Sequence, residues 1–212
     1  MSDVTQYLSQ LIILLPPLLV ALTLHELAHG YVAWRLGDPT AQQAGRLTLN
    51  PIKHLDPLGT LTLIVTQMIG WAKPVPVNPR FFRQPEQGML LVAIAGPLSN
   101  LLLAAISIVL IHLTPFLVSV TPQNMFYTLE PLSKMLFISL KINIVLCIFN
   151  MIPVPPLDGS RILVCLLPNT LAIKYMKLEK FGFIVILALV FSGALRHIFK
   201  PVFQFVLQLL PY

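Results

Sequence analysis

Charge is scarce in this chain: only 10% of its 212 residues are Asp, Glu, Lys or Arg, under half the share of an ordinary soluble domain. That scarcity excludes a soluble globular enzyme. With 56% hydrophobic residues and a mean hydropathy of +0.81, the chain falls among polytopic membrane proteins, whose spans take about 20 apolar residues each. Cysteine is scarcer still. Cys147 and Cys165 lie in apolar surroundings with no second pair, so neither a disulfide framework nor a cysteine-based zinc knuckle is expected. Glycine (10) is outnumbered by proline (19). Irregular backbone should therefore recur, and at membrane depth it must be buried in protein or line a wet cavity. Although the formal charge is +6, no Lys/Arg cluster is dense enough for a phosphate-binding stripe, and nucleic acid is not an expected partner. The first ten residues hold an acidic residue and no basic one, and no small-residue cleavage site follows, so no cleaved signal peptide is expected.

What is present is a series of apolar runs. They extend from about Leu8 to Leu36, Leu58 to Trp71, Gly88 to Leu113, Met135 to Ile152 and Phe181 to Leu195, with a further stretch from Pro201 to Leu210 that either spans or lies on the surface. The second run is too short to span and falls in the range of re-entrant segments. No internal repeat or linker divides the chain. The expected fold is an all-α polytopic membrane bundle with a short re-entrant or extended segment near its active site. It forms a single domain over residues 1–212, with a core at about 8–168 and a C-terminal apolar region at about 181–210.

Loop charges orient the bundle. Arg46, Lys53, Lys73, Arg80 and Arg83 lie between the first and third runs, and Arg161, Lys174, Lys177 and Lys180 follow the fourth, whereas the segment from Thr114 to Ser133 has no Lys or Arg at all. The positive-inside rule makes the two basic segments cytoplasmic and the N-terminus external, provided that Leu58 to Trp71 enters and leaves on one side.

Within the first run stands His25-Glu26-Leu27-Ala28-His29, an H-E-x-x-H pattern. On a helix the two histidines share a face one turn apart and can bind one metal ion, with Glu26 beside them. An amphipathic helix with satisfied polar residues explains the pattern poorly, because an ionisable group near the middle of a span costs about 2.5 to 3.5 kcal/mol on insertion scales. A catalytic zinc takes a third protein ligand and keeps a fourth position open. Asp158, after the fourth run in Asn150-Met151-Ile152-Pro153-Val154-Pro155-Pro156-Leu157-Asp158-Gly159, is the leading candidate. In the same-side topology it meets the end of the first helix, and two imidazoles plus one carboxylate is an established zinc arrangement. Asp158 also suits a helix N-cap before Gly159, a role compatible with ligation.

The two metal motifs, with Gly45-Arg46-Leu47-Thr48-Leu49-Asn50-Pro51, His54 to Thr60, Ala72 to Pro79 and Ala95-Gly96-Pro97-Leu98-Ser99-Asn100, resemble the site-2 protease family of intramembrane zinc metalloproteases, in its small form without PDZ or CBS domain. The resemblance covers about residues 20 to 165. It implies that His25, His29 and Asp158 bind one Zn2+, that Glu26 is the catalytic acid/base, and that the substrate is a transmembrane segment of another membrane protein within the lipid bilayer. Two rival classes remain at this stage: a metal transporter, and a proteolytically inactive protein that captures membrane helices. His54 either hydrogen-bonds the developing oxyanion or a water, or anchors a cytoplasmic turn. Asn150 either binds substrate backbone or pairs with a neighbouring helix, the resemblance favouring the former. In Pro74-Val75-Pro76-Val77 an extended chain would offer the N–H groups of Val75 and Val77 on one edge, where an unwound substrate could add as a strand. Asn100 is expected to serve as a bundle hydrogen bond.

Overall fold

The computed structural model describes residues 3–66, 70–120 and 126–211. Three helices carry the architecture: α1 (Asp3–Arg35), α4 (Pro85–Val120) and α5 (Phe126–Asn150). Each is long and apolar enough to cross a membrane, and they pack against one another. Between α1 and α4 the chain forms α2 (Thr40–Gln43), a 3-10 turn at Pro51–His54, the short helix α3 (Pro57–Thr66) and a second 3-10 turn at Pro79–Phe81. After α5 come α6 (Asp158–Leu166), α7 (Asn169–Met176), α8 (Glu179–Phe191) and α9 (Ala194–Gln208). Among the described residues the β-structure is one isolated antiparallel bridge, between Leu55 and Ala72. The protein is an all-α, multi-pass membrane protein.

The distribution of side chains shows which solvent the bundle was built for. Many of its buried positions are small or polar, among them Ala21, Thr23, Ala33, Ala93, Asn100, Ala104, Ser107 and Asn143. Many large apolar side chains point outward, with Leu102 62% and Phe116 64% exposed. A soluble domain would reverse this. In lipid, where hydrocarbon gives helices no reason to hide leucine, close approach of small residues and interhelical hydrogen bonds hold the bundle. Pro16, Pro17, Pro97, Pro115 and Pro131 lie inside these helices, as membrane helices tolerate when neighbours re-satisfy the freed carbonyls.

The run from Leu58 to Trp71 supplies α3, whose ten residues end at Thr66; residues 67–69 lie outside those described. At about 1.5 Å per residue α3 rises some 15 Å, half a hydrocarbon core. The segment expected as a loop from Thr114 to Ser133 is shorter than the sequence suggested, since α4 continues to Val120 and α5 starts at Phe126. Helical hydrogen bonding runs past the apolar stretch because neither Pro115 nor Pro131 stops it. At the C-terminus, α8 and α9 are bent by 64° at Gly193, which adopts a left-handed φ of 72°. Val202, Phe203 and Val206 of α9, with Leu210, pack on Ala104 and Ile111 of α4 and Leu140 and Ile144 of α5. The C-terminal apolar stretch therefore returns to the bundle.

Candidate metal centre

α1 carries His25 and His29 one turn apart, and both are buried. Their Nε2 atoms lie 3.0 Å from each other. Asp158, the first residue of α6, brings Oδ2 to 3.2 Å from His25 Nε2 and 3.3 Å from His29 Nε2. These three side chains form the group able to hold a metal ion among the described residues. Leu157 is the N-cap of α6 and makes no side-chain cap bond, so Asp158 stands inside the helix and is not its N-cap. Its carboxylate is turned to the histidines instead.

Whether the pocket wants a cation follows from the far side of each ring. His25 Nδ1 lies 2.6 Å from Asn100 Oδ1, and His29 Nδ1 lies 2.7 Å from the Val92 carbonyl oxygen. Both partners are acceptors, so each Nδ1 carries the proton and each neutral ring turns a lone pair at Nε2 toward the other. The Asn100 orientation is fixed in turn. Its Nδ2 donates to Ala21 O and to Asn143 Oδ1, while Asn143 Nδ2 donates to Ser139 O. Three electron-pair donors thus converge, and Asp158 Oδ2 is buried with no hydrogen-bond donor. Ligands about 2.0 to 2.2 Å from a tetrahedral zinc stand about 3.3 to 3.5 Å apart, close to the observed separations. The donor set fits zinc.

Room for this cluster depends on one glycine. A Cβ at Gly96 of α4 would lie 2.3 Å from His29 Nε2 and 2.6 Å from His25 Cε1. α4 therefore contributes bare backbone at Gly96, the Val92 carbonyl one turn earlier and Asn100 one turn later, all on the face turned to α1.

Glu26 is half-buried beside the cluster, and its Oε2 accepts the backbone N–H of Val75 at 2.9 Å. That N–H faces inward onto the carboxylate, so it is not the open strand-edge donor that the alternating prolines suggested. The segment from Ala72 to Asn78 is non-helical and pinned along its length. Lys73 N–H donates to His54 O, and Asn78 N–H donates to Asp38 Oδ2 at 2.6 Å. Asp38, fully buried, also accepts from the N–H and hydroxyl of Thr40. His54 is 1% exposed, its Nε2 donates to Thr48 O, and it lies outside the three-ligand cluster. Asn150 closes α5, donating from Nδ2 to Leu146 O, and also lies outside the cluster. Asp38 and Asn100 were the residues least visible in the sequence. The only signal for Asn100 was a buried amide one turn from Gly96 inside an apolar run.

Between this segment and the loop ahead of Asp158 is a cavity of about 560 Å3, lined in part by Val77, Pro79, Pro155, Pro156 and Ser160. The loop is braced by Tyr175, also on the cavity lining, which donates its hydroxyl to Pro153 O at 2.6 Å.

Residues 13–193 match the family model described as peptidase family M50. Over 185 residues the chain is 45% identical to the Bacillus subtilis protein named "Putative zinc metalloprotease YwhC", covering 87% of this chain and 82% of that one. A Mycolicibacterium smegmatis protein given the same description, with the name Rip2, is 28% identical over 204 residues, 94% of this chain and 74% of its own length. No solved structure matches the chain.

Proposed function

The chain belongs to peptidase family M50 and is a zinc metallopeptidase; from that premise we propose that it cleaves a peptide bond in or near a transmembrane segment of another membrane protein, with His25, His29 and Asp158 holding one zinc ion and Glu26 as acid/base. The observation that carries this reading is the convergence of three lone-pair atoms, each 3.0 to 3.3 Å from the others, one residue away from a carboxylate held by a backbone N–H.

Zinc held by three protein ligands supplies Lewis acidity, acidifying water toward a pKa of about 7 and polarising a carbonyl. The remaining work belongs to the chain. Asn100 and the Val92 carbonyl keep both imidazoles in the tautomer that presents Nε2. Val75 N–H holds Glu26 Oε2, which leaves Oε1 to take a proton from water and return it to the leaving amine. Water reaches the residues through non-helical backbone, the 72–78 segment and the Pro153–Pro156 loop, which hydrocarbon would not tolerate unless it lined a wet cavity.

The basic residues support an orientation with this site facing the cytoplasm and the N-terminus outside. α1 ends and α4 begins on one side, and the antiparallel return of α5 brings Asp158 to that side. His29 is six residues from the end of α1, about 9 Å along the axis, a shallow depth for water to reach. Asn150 and His54 serve this site from outside the ligand set, Asn150 with its amide oxygen toward substrate and His54 by anchoring Lys73.

The test is to incubate the purified protein in detergent with a panel of single-span substrates, with and without a zinc chelator, and to search for new termini by mass spectrometry. The expected product is a cut within or beside a transmembrane segment, abolished by the chelator. Zinc flux into proteoliposomes with every substrate left intact would instead establish a transporter.

A further inference from the structure

Arg46 is the most buried cation of the chain, 5% exposed, yet it faces no carboxylate: its ion-pair partners among the described residues are none. Both terminal nitrogens of its guanidinium are spent on backbone, while Nε is buried without a partner. Nη2 donates to Lys73 O at 2.5 Å and Nη1 to Pro74 O at 3.2 Å. The Pro74 carbonyl belongs to the same planar peptide group whose N–H, at Val75, holds Glu26 Oε2 at 2.9 Å. Gly30, one turn beyond Glu26 on α1, lets this segment close in, since a Cβ there would lie 3.0 Å from Val75 Cγ1 and 3.0 Å from Leu47 Cδ2.

Resting on the peptidase reading above, we propose that Arg46 is a positioning residue for Glu26: its two-pronged grip on the Lys73 and Pro74 carbonyls fixes the peptide plane that presents Val75 N–H to the carboxylate. The fork geometry suits this task, because one rigid planar group that holds two adjacent carbonyls leaves the Pro74–Val75 peptide plane, and with it the Val75 N–H, little freedom to rotate. Charge-assisted bonds in a buried setting are the stronger kind. Proline at 74 and 76 contributes in the same direction by fixing φ on either side of Val75. The grip acts on Glu26 alone. Neither imidazole, nor Asp158, is bonded to Arg46 or to residues 73–75, so the metal ligands stand apart from it.

The experiment compares the parent with Arg46→Gln and Arg46→Lys in detergent, reading zinc content, kcat, KM, and hydrogen exchange at the Val75 amide in valine-labelled protein. Arg46→Gln is expected to keep zinc and KM, to lower kcat about 100-fold, as a misplacement of about 1 Å does, and to speed Val75 exchange about tenfold or more. Arg46→Lys, holding one carbonyl, should fall between. In a Val75→Pro background, which lacks the N–H, the Arg46→Gln change should have no further effect on kcat. Loss of zinc together with activity, a change in KM alone, or additive effects in the double variant would overturn the proposal. So would equal Val75 exchange in parent and Arg46→Gln. That last readout needs no substrate, so it decides the grip even if the parent cuts nothing, in which case the peptidase reading is what fails. If Arg46→Gln does not fold, Arg46→Lys carries the same comparison.

Discussion

Two walls enclose the site, and they are built in opposite ways. The helical wall, α1 against α4, places His25 and His29 by regular geometry and fixes each ring through a single far-side bond, to Asn100 and to the Val92 carbonyl. The other wall is the non-helical 72–78 segment, with no ladder or helix of its own, held by Asp38, Arg46 and His54 reaching in from three turns of chain. One wall holds the two histidines proposed as zinc ligands, which must not move; the other holds Glu26, the proposed acid/base, which would take up a proton and release it. Substitutions in the helical wall should therefore be read in metal content, and those in the segment in turnover at constant metal.

Gly96→Ala should have the largest effect, because the new Cβ would sit inside the imidazole pair; zinc content by atomic absorption should drop to background and activity with it. A variant retaining full zinc would show that the helical wall can yield, and would remove the contrast. Glu26→Gln comes next. It should keep zinc while lowering turnover about 10² to 10⁴-fold, the usual worth of a general acid/base. Asn100→Ala should weaken zinc about 10- to 100-fold in competition with a chelator, the range for an outer partner of a ligating histidine. The same loss of affinity from a residue in the 72–78 segment would blur the two walls. Smallest is Asp38→Ala, which removes a fully buried carboxylate and leaves the half-buried Asn78 and Thr40 N–H groups unpaired. It should lower stability by about 1 to 3 kcal/mol per group, seen as a lower Tm in detergent, with zinc binding intact below the transition.

The helical wall is also the more legible in sequence. Three spans follow from apolar length, and His25, Glu26 and His29 share one turn of helix, because local spacing and hydrocarbon thickness decide both. Leu58 to Trp71 was recognisable as too short to span for the same reason. The other wall was not legible. Arg46 and Pro74 are 28 residues apart and Asp38 and Asn78 are 40 apart, joined by side chain to backbone, and such a bond imposes no period on the sequence. The alternating prolines did mark residues 74–77 as non-helical, but not which way Val75 N–H would face. Asn100 shows the same limit from within a helix: its depth in an apolar run marked it as a bundle hydrogen bond, whereas its partner at His25, 75 residues away, became visible only with α1 and α4 side by side.

X-ray absorption at the zinc edge of the loaded Glu26→Gln variant tests the central claim most directly. Two imidazole nitrogens and one carboxylate oxygen at about 2.0 to 2.2 Å, with a spectrum unchanged from the parent, is the predicted result. Sulfur in the coordination sphere, or a ligand set that changes when Glu26 is replaced, would contradict it.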